Sequence, residues 1–303
     1  MHTYDVFRKQ NTMSRRGWLL FLAVSTLWGL PYFLIRIAVR DLDPTSVVLG
    51  RTLPAALLLL PIAWRQGALS SLKGRVRWLV AYTIVEFGIP WYFMSSAERH
   101  ISSSLASLLI CATPIVSLGI TKLLHPHDRI ERRRLFGLAL GSAGVIALVG
   151  LETSVDSVWW IAAMGIVVLG YAGGPQIISA HLREANGLAV VATSVSIVAA
   201  LYLPIGIARW PHHVAAATWW TLAGLSGLCT IGAFLLFFAL IKEVGPAKST
   251  VVTYLNTAIA VVLGVVVLNE KLTTGILIGF PVIAAGSFLA TAQRSSAASR
   301  PAN

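Results

Sequence analysis

Apolar runs of about 20 residues, separated by short polar turns, recur along the whole chain. As an α-helix, a run of that length crosses a hydrocarbon core of roughly 30 Å. In lipid every backbone N–H and C=O must find its partner inside the protein, so such runs fold as spanning helices. Composition agrees. Hydrophobic residues make up 56% of the chain and charged residues 12%, and the mean hydropathy is +0.76. Soluble domains carry about 25% charged residues, and no soluble core hides this much apolar surface. The spans read as 17–37, 45–64, 77–97, 103–124, 133–151, 157–180, 188–208, 216–241, 247–269 and 273–292. The first run is longer than the apolar core of a signal peptide and lacks a small-residue cleavage site, so it is expected to stay as a span.

Two stretches repeat. Residues 245–286 hold two apolar runs broken at Asn269-Glu270-Lys271, and residues 102–144 hold a twin. Asp128-Arg129-Ile130 stands where Glu270-Lys271-Leu272 stands, and Gly137 and Gly144 match Gly279 and Gly286. That points to an internal duplication, with repeats at 17–151 and 157–292 and polar tails at 1–16 and 293–303. Five spans per repeat is an odd number, so the second copy enters the membrane from the opposite side. The expected fold is an all-α membrane protein of ten transmembrane helices in two inverted five-helix repeats. Inverted repeats that rock about a midplane site are a recurring construction of secondary transporters.

The formal charge of +12 does not mark a nucleic-acid partner, because the basic residues sit in short loops between spans. There they set topology and meet membrane lipids. One set of alternate loops holds eighteen Lys and Arg, and the other holds only Arg40, Arg99, Arg209 and Lys271. The excess places both termini in the cytoplasm. Cys111 and Cys229 lie inside spans and read as buried thiols. His125 and His127 beside Asp128 lack clustered ligands and read as solvated, and the sequence calls for no metal and no cofactor. A membrane-embedded enzyme or receptor is disfavoured: there is no His-Glu-x-x-His, Gly-x-Ser-x-Gly or Walker loop, and no soluble domain.

Among polar residues at depth, Glu86 in span 3 leads, with Tyr82 one turn earlier on its face. A carboxyl at that depth faces a cavity or a partner. It binds a substrate ammonium group, couples protons, or pairs with Arg51, which lies two turns into span 2. A cation and an anion in one cavity suit a zwitterion. Arg36, near the end of span 1, snorkels to the interface on this reading. Ser107, Cys111 and Pro114 share a face of span 4, and Thr250, Thr253 and Thr257 share one of span 9. Such stripes either join helices or line a site. Asn256 needs a partner at mid-depth. Trp28, Tyr82, Trp91, Tyr171 and Tyr254 lie deep, whereas Trp159, Trp160, Trp219 and Trp220 sit at span ends as interface anchors. Gly173-Gly174-Pro175 bends span 6 or allows close packing, and Pro114 kinks span 4. Gly137-x-x-x-Gly141 and Gly275-x-x-x-Gly279 are packing motifs that allow a homodimer through helices 5 and 10.

Taken in order, Leu27-Trp28-Gly29, Arg36, Pro44 with Arg51, Pro114, the acidic turn, Gly137 and Gly144 resemble the drug/metabolite transporter superfamily, in its EamA branch. Gly245-Pro246-Ala247, Glu270-Lys271-Leu272, Gly279 and Gly286 repeat the pattern. The resemblance covers residues 17 to 292. Asp128 replaces the usual Glu, and Asn256-Thr257 stands where the second half often has a proline. The resemblance implies a central cavity lined by spans 1–4 and 6–9, with spans 5 and 10 at the edge. It implies a carrier of small molecules, expected here to export amino acids or related compounds from the bacterial cytoplasm. Proton-coupled efflux of aromatic or cationic drugs stays open beside it.

Overall fold

The computed structural model describes residues 14–124, 132–152, 158–244, 249 and 252–291. The regular elements found among them are helices. We number the rods in chain order: α1 (Arg15–Asp41), α2 (Pro44–Arg65), α3 (Val76–Thr83 continuing through Ile84–Gly88 to Ile89–Ala97) and α4 (Ser103–Ile110 and Thr113–Leu124). Then follow α5 (Arg132–Glu152), α6 (Val158–Ile177 and Ile178–Leu182), α7 (Gly187–Ala208), α8 (Ala216–Ala223, Gly224–Gly232 and Ala233–Val244), α9 (Val252–Leu268) and α10 (Thr274–Thr291). Six helical stretches among the described residues are long and apolar enough to cross a membrane, lying in α1, α2, α4, α6, α7 and α8. The tails, the loop with His125, His127 and Asp128, and Thr250 lie outside the described residues.

Local chemistry sets the helix ends. Ser14 accepts from the Gly17 amide, Asp43 from Thr45, Ser102 from Leu105, and Asn186 from Leu188 and Ala189, each satisfying a first-turn donor that the helix cannot. Pro44 then starts α2 where a missing N–H costs nothing. The turn into α3 passes through Gly67 and Gly74 at φ +66° and +75°, a region that disfavours a Cβ.

The connections gather at two ends. Ser14, the Arg65–Val76 connection, Glu184 and Glu243 lie at the near face. Asp43, Glu98–Ser102, Arg209 and Asn269–Thr273 lie at the far face. Near-face links include Arg75 to Glu184 at 2.5 Å and Ser14 to Glu243 at 2.6 Å. At the far face Asp43 meets Arg209 at 3.5 Å and Arg99 at 3.8 Å. Thus the four cations of the sparse loop set, Arg40, Arg99, Arg209 and Lys271, share one end.

Helix pairing is regular. α5 packs along α10, α2 along α7, α1 along α9 and α8, and α6 along α4 and α3. α8 packs on α2, and α3 on α7. Exchanging each helix for the one five places away maps α5–α10 and α2–α7 onto themselves and the other pairs onto one another. The α5–α10 seam is made by glycine: a Cβ on Gly286 would overlap the Gly141 backbone, and one on Gly144 would meet Ile283 at 2.9 Å. Those glycines are spent on packing inside one chain. A homodimer through helices 5 and 10 would therefore use their other faces, where Phe136, Ile146, Leu277 and Ile278 are exposed.

Candidate functional site

Three rods change helical pitch in mid-course: α3 at Ile84–Gly88, α6 at Ile178–Leu182 and α8 at Gly224–Gly232 each take π-helical turns. Such turns are rare and widen the helix locally. In α3 the cause lies in sequence, because Pro90 has no N–H for the Glu86 carbonyl, and the Ile89 amide reaches back to Ile84 instead. In α8 the Thr230 hydroxyl donates to the Leu225 carbonyl at 2.8 Å, within a glycine-rich turn. α3 and α8 are equivalent in the pairing pattern, so the two widened turns face the interior from related positions.

Arg51 projects from α2 between them and is 4% exposed. Its guanidinium carbon stands 3.6 Å from the Trp91 ring centroid, and Nη2 donates to Thr230 Oγ1 at 3.4 Å. Nε and Nη1 are buried without a hydrogen-bond partner. Burying a charge costs several kcal/mol, and a desolvated cation–π contact returns about 2 kcal/mol. One long hydrogen bond does not close that gap, so the site is short of an anion.

Glu86 does not supply it. No ion pair joins Arg51 and Glu86 among the described residues, and their mutual pairing is corrected. The Glu86 side chain instead lies on Gly174 of α6, where a Cβ would overlap Oε2 and would sit 2.9 Å from Cδ. Glu86 Oε2 is buried with no partner. A Cβ on Gly170 would strike the Val85 carbonyl, so the α6 glycines bring α6 against the widened turn of α3. The helix breaks that the sequence assigns to Gly174-Pro175 fall slightly later, at Ile178–Leu182. Pro175 itself points outward and is exposed. Tyr171 is hydrogen-bonded to Trp91 and within electrostatic range of both Glu86 and Arg51.

Around them runs an aromatic wall. Phe87 contacts Trp91 at 4.9 Å, Tyr82 at 5.6 Å and Phe234 at 5.7 Å. Trp28 closes it against Phe234 at 5.5 Å and Phe237 at 4.6 Å. Trp28 therefore reaches the site through this wall and not by touching Arg51.

α4 and α9 form the other side. The Thr257 hydroxyl lies within hydrogen-bond distance of the Thr253, Ser107 and Asn256 oxygens, at 2.9, 3.4 and 3.3 Å, and is hydrogen-bonded with the Cys111 thiol. Asn256 is 7% exposed, with its backbone carbonyl packed on Gly29. This stripe joins helices at mid-depth, while Thr253 is half-buried. α4 breaks at Cys111-Ala112, and the Ile110 carbonyl that Pro114 cannot serve takes the Thr113 hydroxyl at 2.6 Å. Below the break α4 packs along α6, where Gln176 reaches Ser117 and Thr121 at 3.2 Å, and along α10. α9 has no proline and runs unbroken, so the two helices part toward the near face. An apolar groove of about 310 Å³ between α2 and α7, lined by Leu53, Leu57 and Leu203 among others, touches none of these polar groups.

Three residues carry more than the sequence indicates. Glu270 is not a bare boundary: its oxygens accept from the Ser103 amide and hydroxyl (2.8 and 2.9 Å) and from the Ser104 amide and hydroxyl (3.0 and 2.6 Å). This clamps the α9–α10 turn onto the N-terminus of α4, where a negative group is favoured. Arg36 does not snorkel outward; its Nη1 donates to the Glu98 backbone carbonyl. Glu98 itself is 0% exposed, and both carboxyl oxygens lack partners. It reads as a loop residue because Arg99 follows it. No local pattern marks it, since Arg99 and His100 in the same connection are exposed whereas Glu98 turns inward.

The family model described as EamA-like transporter family matches residues 15–150 and again 158–292. The chain is 25% identical over 264 residues to "Uncharacterized inner membrane transporter YedA" of Escherichia coli (strain K12), covering 83% of this chain and 82% of that one. It is 29% identical over 147 residues to "Protein PagO" of Salmonella typhimurium (strain LT2), an alignment spanning 46% of this chain and 47% of PagO. An "Uncharacterized transporter" of Archaeoglobus fulgidus is 24% identical over 299 residues, 93% of this chain and 99% of that one. A crystal structure superposes with a TM-score of 0.66 at 18% identity, covering 92% of this chain and 98% of that one. At that identity the likeness speaks for the fold alone.

Proposed function

The chain belongs to the EamA-like transporter family, and from that premise we propose that it is a secondary carrier of small zwitterions such as amino acids, working by alternating access. The observation that carries the reading is the interior around Tyr171, where Arg51 and Glu86 bring opposite charges into one packed bundle without pairing. A substrate carboxylate completes Arg51, and its ammonium group completes Glu86. Arg51 and Tyr82 are nearly closed off from solvent, as are Asn256 and Thr257. Substrate therefore enters only when helices move, and the glycine contacts of Gly170 and Gly174, the break before Pro114 and the π-helical turns are where they yield.

We further propose ten spanning helices in two inverted repeats, 17–151 and 157–292. The pairing pattern that maps onto itself under a shift of five supports this, as does the double match of the family model. The near face is cytoplasmic on the charge count of the loops. The printed name of YedA supports a bacterial cytoplasmic membrane. Export is the direction we assign.

The aromatic wall of Trp28, Phe87, Phe234 and Trp91 favours one rival, proton-coupled efflux of aromatic cations at Glu86. Counterflow into liposomes with labelled amino acids, nucleobases and cationic dyes, with and without a pH gradient, separates the two. A zwitterion carrier weakens in both Arg51→Gln and Glu86→Gln, whereas a cation exporter needs only Glu86. Counterflow of none of these compounds overturns the reading.

A further inference from the structure

Glu98 closes the far end of α3, one residue beyond the helix and about 18 Å along it from Glu86 at 1.5 Å per residue. It is fully enclosed and both carboxyl oxygens lack a donor. The groups that face it come from every element packed there: Arg36 and Tyr32 from α1, Arg51 from α2, Tyr171 from α6 and Glu270 from the α9–α10 turn. Arg99 and His100 follow it in the chain. None of the cations binds its carboxylate. Arg36 spends Nη1 on the backbone carbonyl, Arg51 lies over Trp91, Arg99 turns to the Leu42 carbonyl and Asp43, and His100 stacks on Trp160 at 4.0 Å. Glu270, the acid of the clamp, lies within electrostatic range.

We infer that Glu98 is a proton-binding positioning residue for the carrier's far-face gate, neutral while the Glu270 clamp on Ser103 and Ser104 is closed and ionised when the clamp opens. An enclosed carboxyl with no donor is far cheaper to hold neutral than charged. Burial pushes Glu98 well above the usual carboxylate range; Arg36 pulls it down, Glu270 pushes it up, and Arg51 pulls it down. Opening the clamp admits water, hydrates the carboxylate and lets the proton leave to the far-face solution. By linkage, the group that binds its proton more tightly in the closed state makes far-face protons favour closure, and the bias is lost as pH rises through the closed-state value. The step moves one proton between Glu98 and bulk water and needs no other reactant. The inference rests on the carrier reading for its consequence, not for its geometry.

Two measurements test it. Infrared difference spectra of purified full-length protein, wild type minus Glu98→Gln, should show a protonated carboxyl C=O band at neutral pH that disappears only as the solution turns alkaline. This readout needs no substrate, so it stands or falls apart from the transport reading. Counterflow in liposomes with the pH of each face set separately should vary with far-face pH in the wild type, the closed-to-open ratio changing by up to about tenfold per pH unit. Glu98→Gln should be flat and match the wild type at low pH, and Glu98→Asp should keep a pH dependence with a displaced midpoint. If Glu98→Gln folds poorly, the wild-type spectrum and Glu98→Asp still decide. Absence of the band at neutral pH overturns the inference, as does a Glu98→Gln profile that follows the wild type.

Discussion

The far-face clamp predicts that Glu270→Gln frees the N-terminus of α4. In the wild type each carboxylate oxygen takes one amide and one hydroxyl from Ser103 or Ser104, at 2.6–3.0 Å. Glutamine keeps one acceptor and turns an NH₂ toward an N–H, so two of the four contacts go and one becomes a donor against a donor. Hydrogen bonds to a charged group contribute about 1.5–3 kcal/mol each, and the half-exposed setting halves that, leaving about 1 kcal/mol per lost contact. A negative group at a helix N-terminus adds about 0.5 kcal/mol. The sum, about 2.5 kcal/mol, corresponds to roughly 60-fold in the opening equilibrium, within a range of roughly 30- to 100-fold. Hydrogen–deuterium exchange of the amides of Ser103–Ile110 reads that equilibrium directly. Exchange there should accelerate roughly 30- to 100-fold in Glu270→Gln, while α5 and α10 keep their protection and Lys271→Ala behaves as wild type. Unchanged exchange at α4 refutes the clamp, and equal acceleration throughout the bundle makes Glu270 a general stability group instead.

Other consequences follow from single contacts. Gly174→Ala pushes its methyl into Glu86 and should cut counterflow at least tenfold with little change in thermal unfolding, whereas Gly170→Ala meets the Val85 backbone and should cost about 1–3 kcal/mol of stability. Gly286→Val drives a branched side chain into the Gly141 backbone and should lower the unfolding temperature of the whole protein without altering the substrate Kd of what remains folded. Burial raises the Asp43 carboxyl, but the Thr45 hydrogen bonds with Arg209 and Arg99 outweigh it and hold it below its ordinary 3.8. The far-face contribution of Asp43 should therefore be intact above that value and be lost as pH falls through the lower folded one, a loss that Asp43→Asn abolishes in an acid unfolding series.

Much of the fold was legible because lipid leaves few options. A 20-residue apolar run has one solution, and the helices fall near the expected ends. Pro114 announced a break in α4, and Asn256-Thr257 in place of proline left α9 straight. The side-chain partners were less legible, since depth counting gives height and not azimuth. α6 takes Glu86 on Gly174 and α8 takes Arg51 on Thr230, so the two do not pair. The π-helical turns carried one local signal in Pro90 and little in α8 beyond its glycines. Glu98 and Glu270 were hidden for another reason: both stand in turns, where a charge ordinarily reaches water. The packing shows otherwise: Glu98 is enclosed and Glu270 is partly buried on the N-terminus of α4.

The central claim is most directly tested by equilibrium binding to purified protein of an amino acid, the amine lacking its carboxylate and the acid lacking its amine. Leaving one side of a buried charge pair empty costs about 2–5 kcal/mol, at least roughly 30-fold in Kd. The account predicts that wild type loses at least that much with either truncated ligand, that Arg51→Gln no longer distinguishes the amino acid from the amine, and that Glu86→Gln no longer distinguishes it from the acid. If Arg51→Gln penalises the amine as heavily as the amino acid, Arg51 does not hold a substrate carboxylate and the zwitterion site is wrong.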